Sequence, residues 1–353
     1  MSYENEPINH DAKADVVIRL VREVRDNYCY PGIGEAIAKA IESTAYEGAA
    51  TLGDLADLLT TQLRSVNNDR HFIVQVTTTK QEEPKPKSAD IVEQGDVIPD
   101  ATVQRFAISN FGVPKVEVLE GRIGYFNWTA IAPLPLAKDV LISTLNLLSD
   151  TEALIVDLRE CRGGSGETAD LFYAFLFDQE THVNDFYWRP DNATHRRIVG
   201  QKDLFPELKR SYTGKPVYVL TSPATFSCAE AIAYTLKTFE KATIVGTAKT
   251  GGGAHPGQFF YLHPYLRVFI STGCNINTKT GTDWEGDGVA PDVQVASSEE
   301  GLAVAHAHAL KQVLARRRDE WSKKDYMAPY IQTLEAKLNA LEGVNGEDMD
   351  VAP

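Results

Sequence analysis

Five stretches of this chain carry groups that could do chemistry. In Ile155-Val156-Asp157-Leu158-Arg159-Glu160-Cys161-Arg162-Gly163-Gly164-Ser165-Gly166 an apolar run ends in a glycine-rich turn, and a helix-forming run follows. Glycines there allow positive φ and leave backbone N–H groups at a helix start, where they can hold a phosphate or a developing oxyanion. The stretch is not Gly-x-Gly-x-x-Gly and lacks the Lys-Ser/Thr of a phosphate-binding loop. In Thr225-Phe226-Ser227-Cys228-Ala229-Glu230 a second strand-like run gives way to a helix. Ser227 and Glu230 have the spacing of a capping box, and taken alone the cap is the simpler reading. The other is a nucleophilic hydroxyl raised at the head of a helix, whose dipole favours negative charge. Asn68-Asp69-Arg70-His71 sets an imidazole just before a strand; alone, such a histidine is usually structural. Thr282-Asp283-Trp284-Glu285-Gly286-Asp287-Gly288 is either a surface turn or a loop aiming Glu285 at a histidine. Lys249-Thr250-Gly251-Gly252-Gly253-Ala254-His255-Pro256 either lines a cleft or only connects two strands.

Composition limits what these groups can serve. The chain has 353 residues, a hydrophobic fraction of 43% and a net charge of -14. That is enough apolar residue for sizeable cores, and length alone suggests about two domains. The acidic balance disfavours nucleic-acid binding; the densest basic run, Arg316-Arg317-Arg318, reads as a solvated helix face. No apolar run is long enough to span a membrane. The N-terminus lacks the pattern of a signal peptide, so a cytoplasmic location is expected, or a periplasmic or secreted one if a leader has been removed. The four cysteines (29, 161, 228 and 274) show no paired spacing, and there is no His-Glu-x-x-His. No metal and no cofactor is therefore expected.

The elements that must position these groups follow from periodicity. Residues 12–66 read as three helices, with Val16, Val17, Leu20, Val21 and Val24 on one stripe. A strand is expected at Phe72–Val76 and an exposed polar loop over 79–101. Beyond 103, strands at 116–119, 123–128, 153–157, 217–221, 243–246, 258–262 and 267–272 alternate with helices at 136–149, 167–177 and 228–239. This predicts an α/β fold with a mixed sheet layered by helices. The polar, aromatic run 179–214 reads as a lid over the sheet. The expected domains are a helical bundle (1–68), a strand and linker (69–112), a core (113–298), C-terminal helices (299–341) and a frayed tail (342–353).

Read together, Asp157-Leu158-Arg159 with Gly163-Gly164, Thr225 to Glu230, Gly251 to Pro256 and Trp284-Glu285-Gly286-Asp287-Gly288-Val289-Ala290-Pro291-Asp292 resemble the S41 serine peptidases. That family holds the tail-specific, or C-terminal processing, proteases, the tricorn core protease and the interphotoreceptor retinoid-binding protein modules. The resemblance implies an α+β core of the ClpP/crotonase type after an N-terminal helical part. It implies Ser227 as nucleophile and the N–H groups of Gly163 and Cys228 as the oxyanion hole. Gly252 stands where the tail-specific branch has a lysine base. The tricorn-like branch implies His71 as general base and Glu285 as its orienter, directly or through a bridging hydroxyl. His255 is the rival base. Gly164, Gly251, Gly252, Gly253 and His255 are expected to line the substrate cleft. No room remains after Phe72 for an inserted PDZ domain.

The expected function is hydrolysis of short or unfolded peptides through an acyl-enzyme, with peptide or protein as the partner. Pairing with a second copy is the weaker expectation. The alternatives are a non-catalytic binder of an apolar ligand, using the aromatic run from Phe172 to Trp188, and recruitment of the fold to another biosynthetic reaction.

Overall fold

A computed structural model describes residues 3–83 and 98–344. In chain order the elements are α1 (His10–Asn27), α2 (Pro31–Glu42), α3 (Leu52–Arg64), β1 (Ile73–Val76), α4 (Asp100–Ala107), β2 (Lys115–Leu119), β3 (Ile123–Asn127), α5 (Leu134–Leu148) and β4 (Ala153–Asp157). There follow α6 (Gly166–Leu176), β5 (Thr181–Trp188), β6 (Ala193–Val199), β7 (Val217–Thr221), α7 (Cys228–Thr238), β8 (Thr243–Gly246), β9 (Gly257–His263), β10 (Leu266–Ser271), β11 (Gly273–Asn277), β12 (Val293–Gln294), α8 (Ser298–Trp321) and α9 (Ala328–Val344). The chain gathers into two compact units. Unit 1 holds residues 1–97, 184–197 and 253–286; unit 2 holds 98–183, 198–252 and 287–353. Unit 1 thus takes in two stretches from inside the interval read as the core.

In unit 1 the three helices bury the stripes that predict them. Val16, Leu20, Val21 and Val24 of α1 face inward, and Asn9 caps the helix by accepting from the Ala12 N–H at 2.9 Å. Thr51 and Asp54 form a reciprocal capping box on α3. These helices pack on the antiparallel sheet β1-β10-β9. Period two splits that sheet's residues: Val74, Val268 and Ile270 join the core, while Ile73, Gln75 and Phe269 take the other face. Each fully buried aliphatic side chain there contributes about 1.5–3 kcal/mol.

Unit 2 is built on a six-stranded sheet in the order β12-β8-β7-β4-β3-β2. Only β2 runs antiparallel to its neighbour. β4 and β7 are buried along their whole length, as parallel strands covered on both faces must be. Ile123, Tyr125, Ile155, Tyr218, Leu220 and Val245 pack against Ala305, Ala309, Leu310 and Val313 of α8. On the opposite face Phe126 and Trp128 meet Phe172 edge-on, at 6.0 and 5.5 Å. The mixed α/β fold expected from the sequence is the fold observed.

Three parts differ from expectation. Residues 179–214 are not an irregular lid; they supply β5 and β6, which form a sheet with β11. Their half-polar alternation suits strands with one covered face. β11 itself is rich in Gly and Asn and gives no strand signal. Of the loop expected over 79–101, residues 84–97 lie outside the described residues, and Asp100 already begins α4. Of the tail read as frayed, residues 345–353 also lie outside them. Among the described residues no helix is long and apolar enough to cross a membrane.

Candidate active site

The chemistry-bearing residues fall into two groups, one in each unit. In unit 2 two strand-to-helix turns interlock. β4 leads through Leu158–Ser165 into α6, and β7 leads through Ser222–Ser227 into α7. The Phe226 N–H donates to the Cys161 carbonyl at 3.0 Å. Thr225 Oγ1 donates to the Leu158 carbonyl at 2.8 Å, and Ser222 Oγ to that of Arg159 at 2.6 Å. Below this latch Asp157 is buried and paired with Arg159 by two hydrogen bonds, at 2.8 and 2.6 Å, and accepts from Tyr125 Oη at 2.9 Å. That pairing is the structural content of the Asp-Leu-Arg motif.

Ser227 stands at the tip of the second turn with φ 55° and ψ -124°. A side-chain-bearing residue pays about 1–3 kcal/mol for such a conformation and keeps it only where its surroundings impose it. A simple N-cap has extended backbone instead, so the capping box does not account for this residue. Glu230 explains how the turn is held. Its Oε2 accepts from the Ser227 N–H at 2.9 Å, and its Oε1 accepts from Thr250 Oγ1 at 2.5 Å and the Gly252 N–H at 2.8 Å. One buried carboxylate therefore ties the serine turn to the glycine-rich loop. Gly251 lies against the same turn, its N–H donating to the Thr225 carbonyl at 3.0 Å.

Gly163 backs directly onto Ser227. Its φ is +91°, and a Cβ there would sit 2.7 Å from the Cys228 nitrogen and 2.9 Å from Ser227 Cβ. Only glycine fits. Gly164, with φ +140°, is likewise pressed against the Ile131 carbonyl. Ser227, Gly163, Gly164, Cys228, Gly251 and Gly252 are thus brought together in unit 2. The Gly163 N–H also acts on the Cys161 thiol, whose pKa burial pushes up to about 12.

In unit 1 the groups are charged and converge from three separate stretches of the chain, residues 69–71, 255 and 283–285. Asp69 is fully buried. It accepts from Tyr28 Oη at 3.1 Å and from the His71 backbone N–H at 2.9 Å. Glu285 accepts from the N–H groups of Ala254 (2.6 Å), His255 (3.1 Å) and Arg70 (3.3 Å). His255 is 3% exposed, with Nε2 3.2 Å from Asp283 and Nδ1 3.4 Å from Glu285 and 3.6 Å from Asp69. The His71 ring stacks on Phe269 at 5.6 Å; the residue is half-buried and both ring nitrogens are buried.

The two imidazoles are tuned in opposite directions. Burial, reinforced by the charge of His255 and opposed by that of Asp69, lowers His71 to about 4. Burial also acts to lower His255, but Asp283, Asp69 and Glu285 outweigh it and raise that ring to about 10. Glu285 is raised to about 7 by burial and by the Asp69 charge. At neutral pH His71 is a neutral ring and His255 a cation embedded among carboxylates.

His71, Glu285, His255 and Gly253 therefore share unit 1, where Gly253 accepts from Trp284 Nε1 at 3.0 Å. Sequence reasoning missed Asp69, Asp283 and Tyr28 there, and Thr250 in unit 2. Asp69 had a usable signal, an aspartate two residues before the candidate base; the others had none.

Two family models match the chain. The model of peptidase family S41 matches residues 122–295. The model of the N-terminal domain of S41 peptidases in eukaryotic IRBP matches residues 9–120. A Bacteroides fragilis protein assigned to the S41 proteases is similar in structure at 14% identity, covering 92% of this chain and 97% of its own, with a TM-score of 0.56. The mature form of CPAF covers 86% and 98% at 13% identity (TM-score 0.53). The photosystem II D1 C-terminal processing protease covers 84% and 97% at 13% identity (TM-score 0.51). At these identities the likenesses speak for the fold; the two family models speak for descent. The chain belongs to peptidase family S41.

Proposed function

We propose that this protein is a serine peptidase acting on short or unfolded polypeptides through an acyl-enzyme. Ser227 Oγ attacks the scissile carbonyl, and His71 takes its proton and returns it to the leaving amine. The N–H groups of Cys228, in the first turn of α7, and of Gly163 hold the oxyanion. Water then resolves the ester. The observation that carries this reading is the backbone of Ser227, held at φ 55° and ψ -124° by Glu230 and backed by a glycine that tolerates no Cβ. Strain of this kind is kept at functional sites.

His71 is favoured over His255 as the base on geometry. Both ring nitrogens of His255 face carboxylates and the side chain is 3% exposed. His71 is anchored through its backbone by Asp69, and its ring nitrogens, though buried, lie outside the ion pairs that hold His255. Asp69 and Glu285 are positioning residues, because they bind the backbone on either side of Arg70.

The experiment is cleavage of an unstructured polypeptide by the wild type, Ser227→Ala and His71→Ala, with fragments read by mass spectrometry. Cleavage by the wild type and its loss in both variants is the expected result. Full activity in Ser227→Ala would overturn the mechanism.

A further inference from the structure

We propose that the cluster of Asp69, His255 and Glu285 in unit 1 is a binding site for a divalent first-row transition ion such as Zn²⁺. Each of the three offers one ligand atom, and these atoms lie within 4.8 Å of one another. His255 Nδ1 stands 3.4 Å from Glu285 Oε2 and 3.6 Å from Asp69 Oδ2. Zinc bonds of about 2.0–2.2 Å in a tetrahedron place neighbouring ligand atoms roughly 3.3–3.5 Å apart. Both separations from Nδ1 therefore have the size expected across a coordinated ion and are longer than a hydrogen bond, and the third lies within 4.8 Å.

A second observation points to a ligand independently of the acidic groups. The His255 side chain is 97% buried, and its Nδ1 has no hydrogen-bond partner of good geometry. That nitrogen is aimed between Asp69 and Glu285. The other ring nitrogen, Nε2, lies 3.2 Å from Asp283. A carboxylate on the far nitrogen is how metal-binding histidines are fixed in tautomer and orientation. The remaining donors are held in the same way. Tyr28 Oη donates to Asp69 Oδ2, and three backbone N–H groups hold Glu285.

Charge supports the assignment. Three carboxylates surround one imidazole in a setting where Asp69 is fully buried. The carboxylates outnumber the one imidazole they flank, so a divalent ion can take the place of its proton as their counter-charge. One nitrogen and two oxygens suit zinc or manganese and leave a fourth position for water. Glu285, with an 11% exposed side chain, is the accessible member and marks the entry. Loading is a ligand exchange: M²⁺ enters, a bond forms to Nδ1 and any proton there leaves to solvent. The ligands stand at positions 69, 255 and 285, so no metal-ligand spacing exists in the sequence to reveal them.

The test is Zn²⁺ titration of the full chain after chelator treatment, by calorimetry and metal analysis, with Co²⁺ as a spectroscopic probe. One Zn²⁺ per chain and the visible spectrum of low-symmetry Co²⁺ are expected. His255→Gln should abolish both. Asp283→Asn keeps all three ligands and should weaken Zn²⁺ by about 10–100-fold, which guards against a His255 variant that fails to fold. Ser227→Ala should bind zinc like the wild type, so this result and that of the peptidase reading fail separately. His195→Ala, which removes the exposed His195–Asp191 pair, should also bind normally. Absence of saturable binding in the wild type would overturn the proposal. So would binding undiminished in both His255→Gln and Asp283→Asn, or lost in His195→Ala.

Discussion

The serine turn of unit 2 and the charged cluster of unit 1 are made in opposite ways. The turn is a matter of backbone: Ser227 and Gly163 hold conformations few residues tolerate, packed so closely that a Cβ on Gly163 would come within 3 Å of Ser227, with one buried carboxylate from Glu230 as fastener. The cluster is a matter of charge: Asp69, His255 and the Asp283–Glu285 turn arrive from three separate segments and hold one another by electrostatics. Sterics fix position to tenths of an ångström, whereas a charge cluster fixes protonation and affinity for ions.

The largest expected effect breaks the comparison on the unit 2 side. Ser227→Ala should lower kcat by on the order of 10⁴-fold or more with folding intact. Thermal denaturation beside the kinetics checks that the loss is chemical. On the unit 1 side Asp69→Asn removes a buried, hydrogen-bonded charge from beside His255, and should cost about 3–5 kcal/mol in denaturant unfolding. A smaller loss would mean that Asp283 and Glu285 alone suffice for that ring.

Gly163→Ala sharpens the steric claim. Forcing a Cβ to within 2.7 Å of the Cys228 nitrogen should cost about 1–3 kcal/mol and lower kcat by roughly 10²-fold or more, since the oxyanion donors shift with the turn. A variant that loses stability but keeps kcat would separate Gly163 from the chemistry.

Unit 2 has a charge site of its own, against which the cluster can be measured. Glu152 is 5% exposed on its side chain and bonded to Arg316 and Arg317. Burial acts to raise its pKa, but the Arg317 fork and the Arg316 and Arg122 charges prevail and lower it. A lowered folded pKa means stability is full above the unfolded glutamate value of about 4.3 and is lost as pH falls through the folded value. Glu152→Gln should cost about 1–2 kcal/mol at pH 7, because the arginines are partly exposed, with the gap to wild type closing in acid. Urea midpoints across pH measure this. His195→Ala on the surface sets the floor, at under about 0.5 kcal/mol.

What could be read from the sequence follows the same division. The serine turn, the glycine pair and the glycine loop are contiguous words, and buried strands such as Ile155-Val156-Asp157 announce themselves as apolar runs. Glycine at 163 and 164 already implied backbone in unusual conformations. Within the unit 1 cluster His71 and Glu285 were legible only through the family resemblance, because they stand far apart in the chain and no local spacing links them. Asp283 and Asp69 join His255 through folding alone, across gaps of 28 and 186 residues. β5, β6 and β11 went unread because half-covered strands with Asn, Asp and Gly lack the apolar signal that the central sheet supplies.

The central claim is that Ser227 is a nucleophile and not a cap. Labelling the intact protein with a fluorophosphonate and mapping the adduct by peptide mass spectrometry tests it most directly. A single adduct on Ser227, absent in Ser227→Ala and suppressed by competing peptide, is the predicted result. Peptide cleavage by a protein whose Ser227 never takes the label would contradict it.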